Sequence, residues 1–400
     1  MEKYNTPYFL IDKQILDHYW SMLQESLSSS WGNFQIGYSF KTNSLPWLVK
    51  YVKEKGAYAE VVSADEYSLA KYLGFENHQI IYNGPYKGKD SFMSVLLEDG
   101  IVNIDSVQEI KWLEELASKH PEHAFHVGIR VNFDLESLCP GQTTMGKTSG
   151  RFGFCYETGQ FKNALDRINQ LNNAKISGLH LHSSTKTRSV SVFTSIAGMA
   201  CKLKDEYNLE LSYVDIGGGY CGGIEGRPEY PDYFTEIAKT LKMQFDPQRT
   251  KLIVEPGISL ISKCTTFVSS VFDVRDIRGT RYIMTDGSRF NIDPTMIKTS
   301  YFYHVNKKET SSRCTKERQI VSGFSCMEAD RLFEIHDGEE LKPGDQIVYE
   351  NVGGYTMCLN PLFIQYFPPV YVCDNNKITM VRRKWEPKDY VAGTEEVELS

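Results

Sequence analysis

The chain has 400 residues, enough for two domains or one large domain with an appendage. A net charge of −7 without a basic run speaks against nucleic acid as a main partner. No apolar run reaches the roughly 18 residues a membrane helix needs. The balance of 41% apolar and 24% charged residues is that of an ordinary globular protein. The nine cysteines are scattered with no C-x-x-C pair. That argues against a zinc site or disulfide framework and for a reducing cytoplasm. The few residues before Tyr8-Phe-Leu-Ile11 leave no room for a secretory signal.

Tyr8–Ile11 reads as an N-terminal strand. In Phe34-Gln-Ile-Gly-Tyr-Ser-Phe-Lys41, Phe34, Ile36, Tyr38 and Phe40 alternate at strand period. Lys41 has the parity of Gln35, Gly37 and Ser39, the face that large apolar residues avoid. Asn43 and Ser44 are candidate caps for a following helix, Pro46 suits its first turn, and Gly56 can close it. Further strands are expected at 57–63, 79–84, 101–105, 125–132, 175–182, 211–216 and 251–255. Helical spacing fills most gaps: Ala64–Leu73, a capping box at Ser106-Val-Gln-Glu109 running to about Lys119, and stretches near 158–171, 190–207 and 231–243. Eight strand–helix units predict an α/β fold, a (β/α)8 barrel over 27–258. After residue 258 strand-like runs dominate, at Val268–Val274, Arg281–Met284, Gln346–Tyr349 and Val370–Cys373, with a turn at Lys342-Pro-Gly-Asp345. A mostly β domain of 1–26 and 259–400 is expected, with the N-terminal strand joining it.

Several positions carry chemistry. A lone lysine at a strand end, such as Lys41, is either a solvated side chain or an active-site group. His180 and His182 share a strand face with Gly178, ahead of Ser183-Ser184-Thr185. A flat imidazole can stack on an aromatic cofactor, and Thr185 can donate to an anion. Gly217, Gly218 and Gly219 let backbone N–H groups approach a phosphate, although a tight turn explains them equally well. Glu255 ends the last barrel strand, where a carboxylate either caps a turn or partners a ring nitrogen. Cys326, near Glu328 and Asp330, is a packing residue or a reactive thiol. Tyr355 offers a phenol beside the flexible Gly353-Gly354.

Together, in chain order, these pieces resemble the fold-type III pyridoxal-phosphate decarboxylases, the group that includes diaminopimelate, ornithine and arginine decarboxylases. The resemblance rests on Tyr38-Ser-Phe-Lys41-Thr-Asn43, Glu60-Val-Val-Ser63-Ala-Asp-Glu66, Arg130-Val-Asn132, Arg151-Phe-Gly153, His180-Leu-His182, Gly217–Gly219, Glu255-Pro-Gly257, Cys326 with Asp330, and Gly354-Tyr355. It implies an alanine-racemase-like barrel with a β domain, and pyridoxal 5'-phosphate as cofactor. Lys41 would hold the cofactor covalently, His182 would stack on its ring, and Glu255 would keep the ring nitrogen protonated. The run Gly217, Gly218 and Gly219 with Gly257, Thr185 and Tyr355 would surround the phosphate, and Glu60 and Arg130 would support the ring. Arg151, Arg289, Met327, Glu328 and Asp330 would meet the amino-acid substrate. Cys326 would reach across a head-to-tail homodimer with shared active sites and protonate the carbanion left by CO2.

Three departures bear on substrate. Ile258 follows Glu255-Pro-Gly257 where the family usually has arginine. Asp293 precedes Pro294 where diaminopimelate decarboxylases have arginine. Met327, not an acid, follows Cys326, with Glu328 one place later. The expectation is a diamino, modified or conjugated amino acid, which a carrier protein could present. The alternatives are a racemase of the same fold and a catalytically silent regulatory homologue; Glu255 and Cys326 speak against the first, and the full set of Lys41, His182, Glu255 and Cys326 against the second.

Overall fold

A computed structural model describes residues 4–308 and 312–395. Two compact units emerge: Tyr19–Leu260, and Met1–His18 together with Ile261–Ser400.

The first unit is a closed parallel barrel. Its strands are β2 (Phe34–Ser39), β3 (Tyr58–Val61), β4 (Ile80–Tyr82), β5 (Ile101–Ile104), β6 (Phe125–Asn132), β8 (Ala174–His180), β9 (Tyr213–Asp215) and β10 (Lys251–Val254). They pair in cyclic chain order, β10 against β2 and β5 against β6 closing the ring, and β7 (Phe154–Cys155) adds to the outside of β6. Helices follow most strands, among them Ala64–Tyr72, Val107–Lys119, Gln160–Asn169, Val190–Glu206 and Tyr230–Leu241. Each sits within a few residues of its expected place.

Two local expectations are revised. Asn43 does not cap the helix Pro46–Glu54; its Oδ1 accepts from Leu45 N at 3.1 Å, Leu45 is the N-cap residue, and no side chain caps the end. At Ser106 only half of the box forms. Ser106 Oγ accepts from Glu109 N, while Glu109 Oε2 accepts from Asp105 N and from the buried Lys87 Nζ, both 2.8–2.9 Å away. A buried lysine that needs a counter-charge captures the carboxylate.

The barrel interior is filled by Ile81, Tyr213 and Ile253, with Tyr58 and Ile101 packed against them. Tyr213 explains two glycines. A Cβ on Gly178 would lie 2.0 Å from its ring, and a Cβ on Gly128 would lie 2.1 Å from its hydroxyl. Small residues on β6 and β8 thus admit one large phenol across the barrel.

The second unit is built on β1 (Tyr8–Asp12), which pairs antiparallel with β11 (Thr265–Ile277) and parallel with β17 (Val370–Asp374). The N-terminal strand therefore joins the β unit, as its sequence led us to expect. Its sheet also holds β12 (Thr280–Thr285), β13 (Phe302–Asn306), β14 (Thr315–Ser322), β15 (Arg331–Glu339), β16 (Gln346–Glu350) and β18 (Lys377–Arg382). Tyr8, Val268 and Val348 make one core cluster, with Tyr4, Leu10 and Tyr371 against it. The turn at Lys342–Asp345 is pinned by Arg313, whose guanidinium donates twice to Asp345. Among the described residues, no helix is long and apolar enough to cross a membrane.

Candidate active site

The carboxyl ends of the barrel strands carry a continuous polar network. Lys41, one turn past β2, donates from Nζ to Glu60 Oε2 at 2.9 Å. Glu60 sits on β3 and is fully buried. Asn83, just past β4, donates from one amide nitrogen to two carboxylates: Glu60 Oε1 at 3.1 Å and Glu255 Oε1 at 2.5 Å. Its own Oδ1 accepts from Asn103 Nδ2 at 2.8 Å, and Asn103 Oδ1 accepts from Tyr213 OH at 2.8 Å. Six strands are thereby cross-linked through side chains on them or just past their ends.

Glu255, past β10, is the electrostatic centre. Burial works against its charge, but His180, whose Nε2 is 3.5 Å away, and then Lys41 outweigh burial and hold the carboxyl well below its ordinary range. Asp215, at the end of β9, behaves oppositely. Burial and then the charge of Glu255 push its carboxyl far up. Two neighbouring carboxyls in low dielectric do not both ionise, so Glu255 carries the charge and Asp215 keeps its proton. Asp215 Oδ1 also accepts from Gly217 N at 2.9 Å, which fixes the start of the glycine run. Atoms of His180, Asp215 and Glu255 lie within 4.8 Å of one another.

His182 lies over this cluster, its ring 6.3 Å from that of His180 and 13° from parallel. Its Nδ1 accepts from Gly218 N at 3.2 Å. Desolvation pushes the imidazole down to about 3, despite Glu255, so the ring is neutral at working pH. Glu66, on the helix after β3, is pushed up to about 7 by burial, against the hydrogen bond from Val62 N and with Glu60 adding to the rise.

The glycines serve two purposes. At Gly217 a Cβ would strike His182 at 2.3 Å, and at Gly218 the carbonyl of Glu255 at 1.9 Å. These two let strand ends close in. Gly219 has φ +98° with open space around its missing Cβ, so it leaves room for a bound group. Gly257 packs on Thr42, 2.2 Å from where its Cβ would be. Thr185 is engaged locally, its Oγ1 accepting from Arg188 N at 3.0 Å. Arg130 on β6 donates to Asp105 Oδ2 at 2.9 Å, and Asp105 Oδ1 accepts from Gly153 N at 3.1 Å. Arg151 is exposed, its guanidinium 4.3 Å from the Phe152 ring centre.

The remaining expected residues belong to the β unit. Cys326 is an exposed free thiol, Met327 is 44% exposed, and Glu328 reaches Arg331 at 3.4 Å. Asp330 is buried, and its carboxylate accepts from Ser288 Oγ, Arg289 N and Ser325 N. It pins two loops together inside the unit. Arg289 donates from Nε and Nη2 to Asp293 Oδ2, both at 3.0 Å, and from Nη2 to the carbonyl of Lys298. Tyr355 adopts φ +58° with its side chain 39% exposed.

Sequence reasoning missed Asn83, Asn103, Asp105 and Asp215. Each is a lone polar residue at the carboxyl end of an apolar barrel strand, as in Ile101-Val-Asn-Ile104 and Tyr213-Val-Asp215. That position, repeated strand after strand, is the signal that finds them.

This arrangement suits an aromatic, cationic, phosphorylated group. It offers a primary amine, an ionised buried carboxylate, a neutral stacking imidazole and an open left-handed glycine. The family model "Pyridoxal-dependent decarboxylase, pyridoxal binding domain" matches residues 17–262. Among curated proteins, the chain is 25% identical to an L-glutamyl-[BtrI acyl-carrier protein] decarboxylase of Niallia circulans, over 98% of this chain and 94% of that protein. It is 27% identical to a diaminopimelate decarboxylase of Aquifex aeolicus, over 89% and 84%. Among solved structures, a diaminopimelate decarboxylase from M. jannaschii superposes with TM-score 0.85 at 20% identity, covering 99% of this chain and 93% of that one. The chain belongs to the pyridoxal-dependent decarboxylases, and is a lyase that uses pyridoxal phosphate to decarboxylate an amino acid.

Proposed function

We propose that the substrate is an amino acid whose side chain is conjugated, as an acyl derivative or on a carrier, rather than free diaminopimelate. The observation that carries this is Arg289, the nearest counterpart of the expected distal-carboxylate reader. Its Nε and Nη2 are committed to Asp293 and to the Lys298 carbonyl, and a guanidinium whose charge is already paired with a buried carboxylate has less to offer a ligand carboxylate. Ile258 and Met327 stand where the other two charged readers would be. The carrier-bound substrate in the name of the Niallia circulans relative is in keeping with this reading.

In this reading Lys41 and Cys326 are the catalytic residues. Lys41 would hold the cofactor, with Glu60 orienting its amine. Glu255 would face the ring nitrogen, and its lowered pKa keeps it charged through the working range. Asn83 holds Glu255 and Glu60 in register. His182, neutral, offers a flat face without adding positive charge. Gly219, Gly257, Thr185 and Tyr355 would surround the phosphate. Pyridoxal phosphate, when bound, supplies the sink for the electron pair released with CO2. Cys326 would return a proton to the α-carbon. Its thiol is exposed in its own unit, which supports a role in a site completed by a second copy. Phe302, Tyr303, Phe363 and Ile364, exposed on the same unit, add apolar surface for a homodimer. No disulfide joins the cysteines among the described residues, which is in keeping with a reducing cytoplasm.

The test is CO2 release from diaminopimelate, ornithine, lysine and their side-chain-acylated counterparts, with a Lys41→Ala control. Release from acylated substrates that needs Lys41 is expected. Efficient turnover of free meso-diaminopimelate would sink the proposal.

A further inference from the structure

The barrel unit holds a second feature beside the network, a cavity of about 710 Å3. That lies within the roughly 300–1,000 Å3 of small-molecule sites and exceeds what a free amino-acid side chain fills. Its inner wall includes Arg130 at the end of β6 and His182 past β8; its outer wall is the excursion between β6 and β7, residues 133–153. The excursion is tied down on both sides. Thr144 N donates to the carbonyl of Ser184 and Lys186 N to that of Gln142. Asn132 Nδ2 donates to the carbonyls of Gly150 and Phe152. The cavity is therefore a partly open compartment, walled by the tied-down excursion, with the proposed cofactor-stacking imidazole in its lining.

The charges of the walls are unequally committed. Asp134 accepts from Ser137, Glu136 accepts from Gly141 N and Thr143 Oγ1, and Glu157 accepts from Asp134 N and Cys155 Sγ. These acids hold the walls together. Arg130 is committed to Asp105. Among the described residues, Lys147 and Arg151 have no carboxylate partner, and both line the cavity. Arg151 is held in orientation by Phe152, whose ring centre is 4.3 Å from its guanidinium and 4.6 Å from that of Arg130.

We propose that this cavity receives the distal part of the substrate's side-chain conjugate, and that Lys147 and Arg151, on its outer wall, bind an anionic oxyacid group of that conjugate. The inference rests on the conjugated-substrate reading above and adds the chemistry of the conjugate. The anion could be the carboxylate of an acyl substituent or the phosphate of a carrier arm; one chemistry serves both.

The test uses cofactor-loaded enzyme and product-like amines, which have no α-carboxylate to lose, with affinity read by calorimetry. One pair is N-succinyl- and N-acetyl-1,2-diaminoethane; the other is an ω-aminoacyl pantetheine thioester with and without its terminal phosphate. In at least one pair the anionic member should bind about tenfold tighter, the worth of one charge-assisted contact. The pair that discriminates identifies the source of the anion. The Lys147→Ala/Arg151→Ala double variant should lose that preference and keep its affinity for the neutral member. Conjugates that bind without charge preference, or a preference that survives in the double variant, would overturn the subsite while leaving the conjugated-substrate reading intact. Failure of all four to bind, where unconjugated diamines do, would overturn both.

Discussion

Asn83→Ala is the sharpest probe of the network. Asn83 is buried and donates from one nitrogen to two carboxylates, Glu60 at 3.1 Å and Glu255 at 2.5 Å. Hydrogen bonds to charged groups contribute roughly 1.5–3 kcal/mol each, so losing both should cost about 3–6 kcal/mol. The neutral bond from Asn103 is lost as well. The cost should depend on pH, and its sign follows from Glu255. In the wild type its folded acidity is stronger than in the unfolded chain, where the ordinary value is 4.5. Its stabilising contribution is therefore present above that value and fades as pH falls through the folded value. Without the Asn83 donor the folded pKa rises toward the ordinary value, so the gap between wild type and variant should be full at neutral pH and narrow only on the acid side, as pH falls through the variant's folded value. Urea melts followed by tryptophan fluorescence at several pH values measure this. Four of the five tryptophans, Trp20, Trp31, Trp47 and Trp112, lie in the barrel unit. A loss below about 1 kcal/mol at neutral pH would refute the claim that Asn83 supports a charged Glu255.

Lys41→Ala should abolish both covalent cofactor retention and CO2 release, read by the visible absorbance of the dialysed protein and by gas evolution. Cys326→Ala should lower kcat by about 10²–10⁴, the usual range for a positioned proton donor, with much less change in KM; an unchanged kcat would remove Cys326 from the reaction. Tyr213→Phe leaves Asn103 Oδ1 without its donor inside the barrel and should cost about 1–3 kcal/mol in urea melts. Glu66 has a folded value of about 7 against 4.5 unfolded. Its contribution is full below pH 4.5 and is lost as pH rises toward 7, so Glu66→Gln should flatten the pH dependence of the melting midpoint in that window. His182 is depressed from 6.5 to about 3, the reverse case: its contribution is full above 6.5 and is lost as pH falls. His182→Phe should remove that acid-side loss, seen as a shallower decline in midpoint from pH 6.5 downward.

The barrel was legible because its strands are buried in a parallel ring and its helices are amphipathic, so each element announces itself locally. Lys41, His182 and Glu255 were legible for a related reason, being chemically odd residues at strand ends. What local pattern could not supply was how those ends meet. Asn83 and Asn103 each look like an ordinary turn amide, and become a relay only when β4 and β5 stand side by side. Gly178 illustrates the same limit from the packing side. In sequence it marks the small face of a strand shared with His180 and His182; in the fold it is the space that Tyr213, 35 positions later, needs for its ring. The acid–base assignments also arise only in three dimensions. Asp215 and Glu255 are both strand-end carboxyls of equal standing in the sequence, and the proximity of His180 to one of them decides which keeps its charge. The engagement of Arg289 lies at the same level. Arg289 is present in the chain, but only the position of Asp293 four residues on, bonded to its fork, shows that this arginine is already engaged.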